Sequence, residues 1–181
     1  MISDLLTGPH LQLRAMEPGD VDLLFEWEND TSIWQVSNTL TSFSKSQIEW
    51  FVNNSPQDIF SLGQLRLMID STETNKPLET VGTVDFFEFD PFHLRAGIGI
   101  LISKSHRHRG FAGETLKIVI RYAFGTLHLH QLFCNISPDN EASIRLFTKS
   151  GFIRCGIKKD WINAGGGWLD EWMFQLILNK S

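Results

Sequence analysis

The chain has 181 residues, 42% hydrophobic and 12% aromatic, enough apolar material for one sizeable core, so a single domain over residues 1–181 is expected. A formal net charge of −5 disfavours broad nucleic-acid binding; no apolar stretch is long enough to span a membrane and the first residues do not resemble a signal peptide, which leaves the cytoplasm as the expected compartment. The cysteines, Cys134 and Cys155, lack CxxC spacing; they support neither a disulfide framework nor structural zinc and read as buried thiols.

Leu11 to Met16 reads as a short strand. Asp20 can cap a helix through Glu28 with Val21, Leu24 and Phe25 on one face, and Ser44 with Gln47 has capping-box spacing ahead of Ile48, Phe51 and Val52. Strand character follows at Ile59 to Ile69, Thr80 to Phe89 and Arg95 to Ile102, the polar stretch Asp70 to Pro77 supplying the first turn of an antiparallel meander. A helix from about Gly113 to Phe124, a strand at Leu132 to Ser137 and a helix at Asn140 to Lys149 come next. Ile153 to Trp161 and Leu169 to Leu178 close the chain as a hairpin, with Gly165-Gly166-Gly167 better explained as its turn than as a phosphate loop. This order indicates an α/β (α+β) fold: a mixed, mostly antiparallel sheet of about seven strands flanked by about four helices, with a parallel pair across the Gly113 to Phe124 helix.

The run Arg107-His108-Arg109-Gly110-Phe111-Ala112-Gly113 joins an apolar strand to an apolar helix. Its glycines let the backbone approach a ligand, the first N–H groups of the helix have no partner within it, and Lys104, Arg107 and Arg109 add positive charge, so the run suits a phosphate. A basic surface turn has the same local composition. No Gly-x-x-x-x-Gly-Lys-Ser/Thr run exists, and Gly97-Ile98-Gly99 lacks a third glycine at dinucleotide spacing.

A second signature changes the balance. Arg107 to Ala112 resembles the Arg/Gln-x-x-Gly-x-Gly/Ala pyrophosphate loop of the GNAT family of N-acetyltransferases, and Asn140-Glu141-Ala142-Ser143 with Leu146-Phe147 and Gly151-Phe152 resembles that family's second motif. The likeness covers nearly the whole chain and is greatest for the spermidine/diamine and ribosomal-protein serine acetyltransferase branches. It implies a GNAT fold with a splayed parallel strand pair, acetyl-CoA as acetyl donor, no metal, and transfer to a primary amine (a small amine, a polyamine or a protein N-terminus) by direct attack in a ternary complex. The loop amides of Arg107, His108, Arg109, Gly110, Phe111, Ala112 and Gly113 would hold the pyrophosphate. Ile100 and Ile102 would offer backbone groups to pantetheine, an N–H near Leu101 or Ile102 would stabilise the oxyanion, and Asn140 would contact the pantetheine arm, cap a helix, or both; Leu101, Ser143 and Phe147 belong to the same implied cofactor-binding set.

The catalytic positions depart from the family pattern. Phe147 stands where many members have a proton-donating tyrosine, and Gly97 near where many have a glutamate. Ser143 is the substitute acid candidate, with a small helix residue as its plainer reading; Asp85 and Glu88 are base candidates, of which strand alternation lets at most one face the cleft. His93, His106, His108, His128 and His130 lack metal-ligand spacing. Trp34, Ser37 and Asn38, with Trp27 and Trp50, are candidates for an acceptor wall or for core, and the acidic residues between Asp20 and Asp30 for polyamine attraction or a solvated helix face. The alternative to an enzyme is an acyl-CoA-binding regulatory module without efficient turnover. Neither nucleic acid nor membrane is an expected partner; a homodimer through an edge strand or the terminal hairpin is compatible with the pattern.

Overall fold

The computed structural model describes residues 5–32, 41–55, 58–73 and 78–178. Strand β1 (Leu11–Ala15) leads through a 3-10 turn to α1 (Val21–Glu28), followed by α2 (Lys45–Asn54), the single turn α3 (Ile59–Leu62), β2 (Leu65–Ser71), β3 (Glu79–Asp90) and β4 (Arg95–Ile102). Helix α4 (Phe111–Gly125), β5 (Gln131–Ile136), α5 (Glu141–Lys149), β6 (Ile153–Asn163) and β7 (Trp168–Ile177) follow. The strands form one seven-stranded sheet in the order β1-β2-β3-β4-β5-β7-β6. Every neighbouring pair is antiparallel except β4 and β5.

Local chemistry explains where these elements begin and end. The capping box at α2 forms as the spacing predicts, with the Gln47 N–H donating to Ser44 Oγ at 3.2 Å and the Ser44 N–H to Gln47 Oε1 at 2.7 Å. The strand expected over Ile59 to Ile69 is corrected. Asp58 caps a helical turn through the Phe60 N–H, Gly63 ends it at φ +66°, and the extended run starts only at Leu65. Gly165 to Gly167 form the β6–β7 turn, closed by the Ala164 N–H on the Gly167 carbonyl at 2.9 Å.

Two apolar cores lie against the two faces of the sheet. Leu67 and Ile69 of β2 belong to one, with α4 residues such as Leu116 and Val119 and with Phe147 of α5; Met68 between them belongs to the other, with Leu24 and Trp27 of α1 and Ile48 and Val52 of α2. The α1/α2 helices and the α4/α5 helices therefore cover opposite faces. Cys134 is buried as expected, and burial pushes its thiol pKa up. Cys155 is instead exposed: it lies on β6, a strand at the edge of the sheet.

Candidate active site

The parallel pair is short. Strands β4 and β5 match at Arg95↔Gln131, Ala96↔Leu132 and Gly97↔Phe133 only, although β4 runs on to Ile102 and β5 to Ile136. Beyond Gly97 they diverge around a cleft of about 570 Å³, walled by Ile98 to Leu101 on one side and Cys134 to Ser137 on the other. The Ser103 N–H donates to Val81 O at 2.9 Å across the β3–β4 ladder. Ladder alternation then directs the polar groups of Leu101 toward β3 and those of Ile100 and Ile102 toward the cleft side. Consistently, Ile102 O accepts from Arg107 Nε at 3.1 Å rather than from a strand.

Where β4 ends, Gly110 takes φ +86° and starts α4 without a side-chain cap. Its carbonyl accepts the Glu114 N–H at 3.1 Å, so the N–H groups of Phe111, Ala112 and Gly113 precede the first intrahelical bond and face outward with the helix dipole behind them. The Glu114 carboxylate is held aside by the His10 N–H at 2.7 Å. Lys104 pairs with Asp30 at 3.0 Å; Arg109 pairs with Glu73 at 2.5 Å and lies 4.7 Å over the Phe111 ring. Hydrogen bonds, from Ser32 first and then Lys104, hold the Asp30 carboxyl at about 2. Exposed pairs of this kind are weak enough to exchange for a phosphate.

The α1/α2 side of the cleft is polar. Arg66 holds Asp85 with two bonds, Nε to Oδ1 at 2.6 Å and Nη2 to Oδ2 at 3.1 Å, and also binds Glu28 through Nη1. Burial works against the guanidinium charge, but Asp85 and then Glu28 more than offset this and raise its pKa. Across the cleft, Lys158 Nζ reaches the buried Glu171 at 2.7 Å. Asn135 Oδ1, on β5, is buried and has no hydrogen-bond partner among the described residues. The opposite face brings Asn140, Ser143 and Phe147 of α5 to the same cleft, so the opening passes from one side of the sheet to the other.

Both carboxylate candidates, Asp85 and Glu88, line the cleft, correcting the expectation that at most one can. The β3–β4 register shifts between Phe87 and Asp90, and Glu88 sits at φ +48°; this bulge sets Phe87 and Glu88 on one side in succession. Gly97 gives way to aromatic packing: a Cβ there would lie 2.2 Å from the Phe87 ring, itself edge-on to Phe133 at 5.6 Å. Asn140 caps α5 through the Ser143 N–H at 3.1 Å and also lines the cleft.

Ile100 and Leu101 wall the cleft, whereas Ile102 and the loop residues 107–113 lie beyond its lining at the end of β4. Trp27 lines it; Trp50 is 68% exposed and does not. Trp34, Ser37 and Asn38 fall outside the described residues. Asp20, Asp22, Glu28 and Asp30 are each ion-paired, with Arg14, Lys45, Arg66 and Lys104, so the acidic run is mostly spoken for. His106, unlike the other histidines named above, is buried, bonded to Ser103 Oγ at 2.7 Å and Glu79 at 3.1 Å. Sequence patterning does not single out Arg66, Asn135 or Glu171: the first two are isolated polar residues inside strands and Glu171 follows Asp170 in β7, weak signals without the fold.

The family described as acetyltransferase (GNAT) domain matches residues 10–153. An uncharacterized N-acetyltransferase, p20, of Bacillus licheniformis is 31% identical over 96% of both chains. The spermidine N(1)-acetyltransferase of Escherichia coli K12 is 25% identical over 78% of this chain and 72% of its own. The crystal structure of spermidine N-acetyltransferase from Vibrio cholerae in complex with CoA and spermine superposes with a TM-score of 0.82 at 22% identity, covering 94% of this chain and 96% of that one; likeness at this identity carries the fold.

Proposed function

Since the chain belongs to the GNAT acetyltransferase family, we propose that it transfers the acetyl group of acetyl-CoA to a cationic primary amine by direct attack in a ternary complex. The observation that carries this is the cleft opened by the diverging β4 and β5, which joins the α5 residues on one face to the polar α1/α2 side on the other. The orphaned Asn135 Oδ1 and the cleft-directed backbone of Ile100 are groups such a pair of substrates would satisfy.

In this reading the N–H groups of Phe111, Ala112 and Gly113 hold the pyrophosphate, helped by Arg109, and Ile100 with Asn140 holds the pantetheine arm. Acetyl-CoA supplies the activated acyl carbon. The N–H of Ile102, rather than that of Leu101, faces the side on which the oxyanion develops. Asn135 Oδ1 accepts from the incoming amine and orients its lone pair. Glu88, which makes no hydrogen bond or ion pair among the described residues, takes the amine proton through water, while Asp85, held by Arg66, contributes field rather than proton transfer. Ser143 returns a proton to the leaving thiolate in place of the tyrosine that Phe147 replaces.

Four carboxylates line the cleft (Glu28, Asp85, Glu88, Glu171) against two cations (Arg66, Lys158), a balance that favours a protonated amine arriving from solvent. A binding module without turnover finds no support in the matches, which are to acetyltransferases. The edge strand β6, with Ile153 and Trp161 exposed, is where a second copy would pair. Thiol release from acetyl-CoA across a panel of amines tests the proposal; amine-independent background with every acceptor contradicts it.

A further inference from the structure

A second cavity, of about 470 Å³, opens between α2 and the β2–β3 region. It shares Glu28, Arg66, Asp85 and Phe87 with the cleft, so one wall is common to both. Its other walls are mainly apolar, formed by Met16, Phe43, Ile48, Phe51, Leu62 and Leu65. The charges it touches are those of the shared wall, and they are paired to one another. Arg66 also lies 5.8 Å over the Phe51 ring, which turns the guanidinium face into part of the apolar lining.

We propose that this cavity receives the apolar arm of the acceptor, so that the acceptor is a primary amine bearing an alkyl or aryl group of about phenyl size. The inference rests on the acetyl-transfer reading above. With the amine nitrogen near Asn135 and Asp85, a substituent of a few carbons passes Phe87 and Arg66 into the second cavity. The volume is in the ordinary range for small-ligand sites, about 300–1,000 Å³. A polyamine arm placed there carries further ammonium groups, and an apolar wall offers them no partner. The same chemistry can come from a free amine or from an N-terminal residue with an apolar side chain.

The test measures kcat/KM for methylamine, butylamine, phenethylamine, spermidine, and short peptides beginning with Gly or Phe. It uses the wild type, Gln64→Trp and Gln64→Ala. Gln64 is an exposed residue that lines the second cavity and not the cleft, so a tryptophan there fills the cavity without burying anything new in the core. The expected result is a gain of about fourfold per methylene, reaching about 30-fold or more for phenethylamine over methylamine. Gln64→Trp removes at least tenfold of that gain, while Gln64→Ala does not, and methylamine turnover and acetyl-CoA affinity stay unchanged. Phenethylamine outrunning the Phe-led peptide identifies a free amine as the source, and the reverse a polypeptide terminus.

Equal kcat/KM across the alkyl series, preference for spermidine over phenethylamine, or a Gln64→Trp loss shared by all amines overturns the inference. Should no amine be acetylated, calorimetry with CoA present separates the two readings. Phenethylamine binding to the wild type but not to Gln64→Trp upholds the cavity while the transferase reading fails; no binding to either sinks the cavity too.

Discussion

Substituting Gly110 separates backbone strain from charge at the proposed pyrophosphate site. At φ +86° with nothing within 4 Å of a built Cβ, a side chain meets conformational strain but no steric clash. Gly110→Ala and Gly110→Glu therefore both lose about 1–2 kcal/mol of stability, the usual penalty for an L-residue in this region. Only the glutamate adds a charge. A carboxylate about 5 Å from a bound pyrophosphate repels each phosphate charge by roughly 1–3 kcal/mol for effective dielectric constants between about 80 and 20. That predicts an acetyl-CoA Kd at least about tenfold weaker for Gly110→Glu than for Gly110→Ala, by calorimetry on both folded variants. The gap narrows as salt is raised. Equal affinities of the two variants, at matched stability and low salt, refute the assignment of the α4 N-terminus to the phosphates.

Three further outcomes follow from particular contacts. Asn135→Leu removes a buried acceptor with no partner among the described residues, so stability holds or rises while amine kcat/KM drops about tenfold or more at unchanged acetyl-CoA affinity; unaltered turnover contradicts its role in orienting the amine. Ser143→Ala keeps the Asn140 cap, which uses the Ser143 backbone N–H, and lowers kcat without weakening acetyl-CoA binding; a changed Kd with constant kcat makes Ser143 a binding residue instead. Arg14→Met strands Asp20 and Asp70, whose side chains are 6% and 1% exposed, and costs about 3–5 kcal/mol by denaturant unfolding at neutral pH. For Asp20, burial pushes the pKa up, but hydrogen bonds from Arg14 and the Glu17 N–H more than offset this and leave it lowered. Its stabilising contribution is therefore present above the unfolded value of about 3.9 and is lost as pH falls through the lower folded value. In Arg14→Met burial acts unopposed by the guanidinium, so the stability gap to the wild type narrows on acidification; a constant gap contradicts this.

Much of the architecture was legible because one residue's chemistry decided it. The strand over Arg95 to Ile102 is found at those bounds, and Asn140 marks the start of α5. The misread Ile59 to Ile69 segment carried its own correction, Asp58 as a cap and Gly63 as a terminator, hidden by the apolar residues on either side. The site was harder to read. Alternation ranked Asp85 and Glu88 as mutually exclusive, and a bulge, which the pattern of side chains does not encode, brought both to the cleft. Arg66 and Asp85 lie opposite one another in the β2–β3 register, a relation fixed by strand pairing across the intervening residues. The point where β4 and β5 part depends on how helices pack against both faces, so the sequence motif pointed to the loop but not to the extent of the cleft.

The most direct test of acetyl transfer is thiol release from acetyl-CoA by the purified protein with methylamine, phenethylamine, spermidine and short peptides, with the product amide identified by mass. Amine-dependent release with a stoichiometric acetylated product is the predicted result. Acetyl-CoA bound tightly but never turned over, with every one of these amines present, would contradict it.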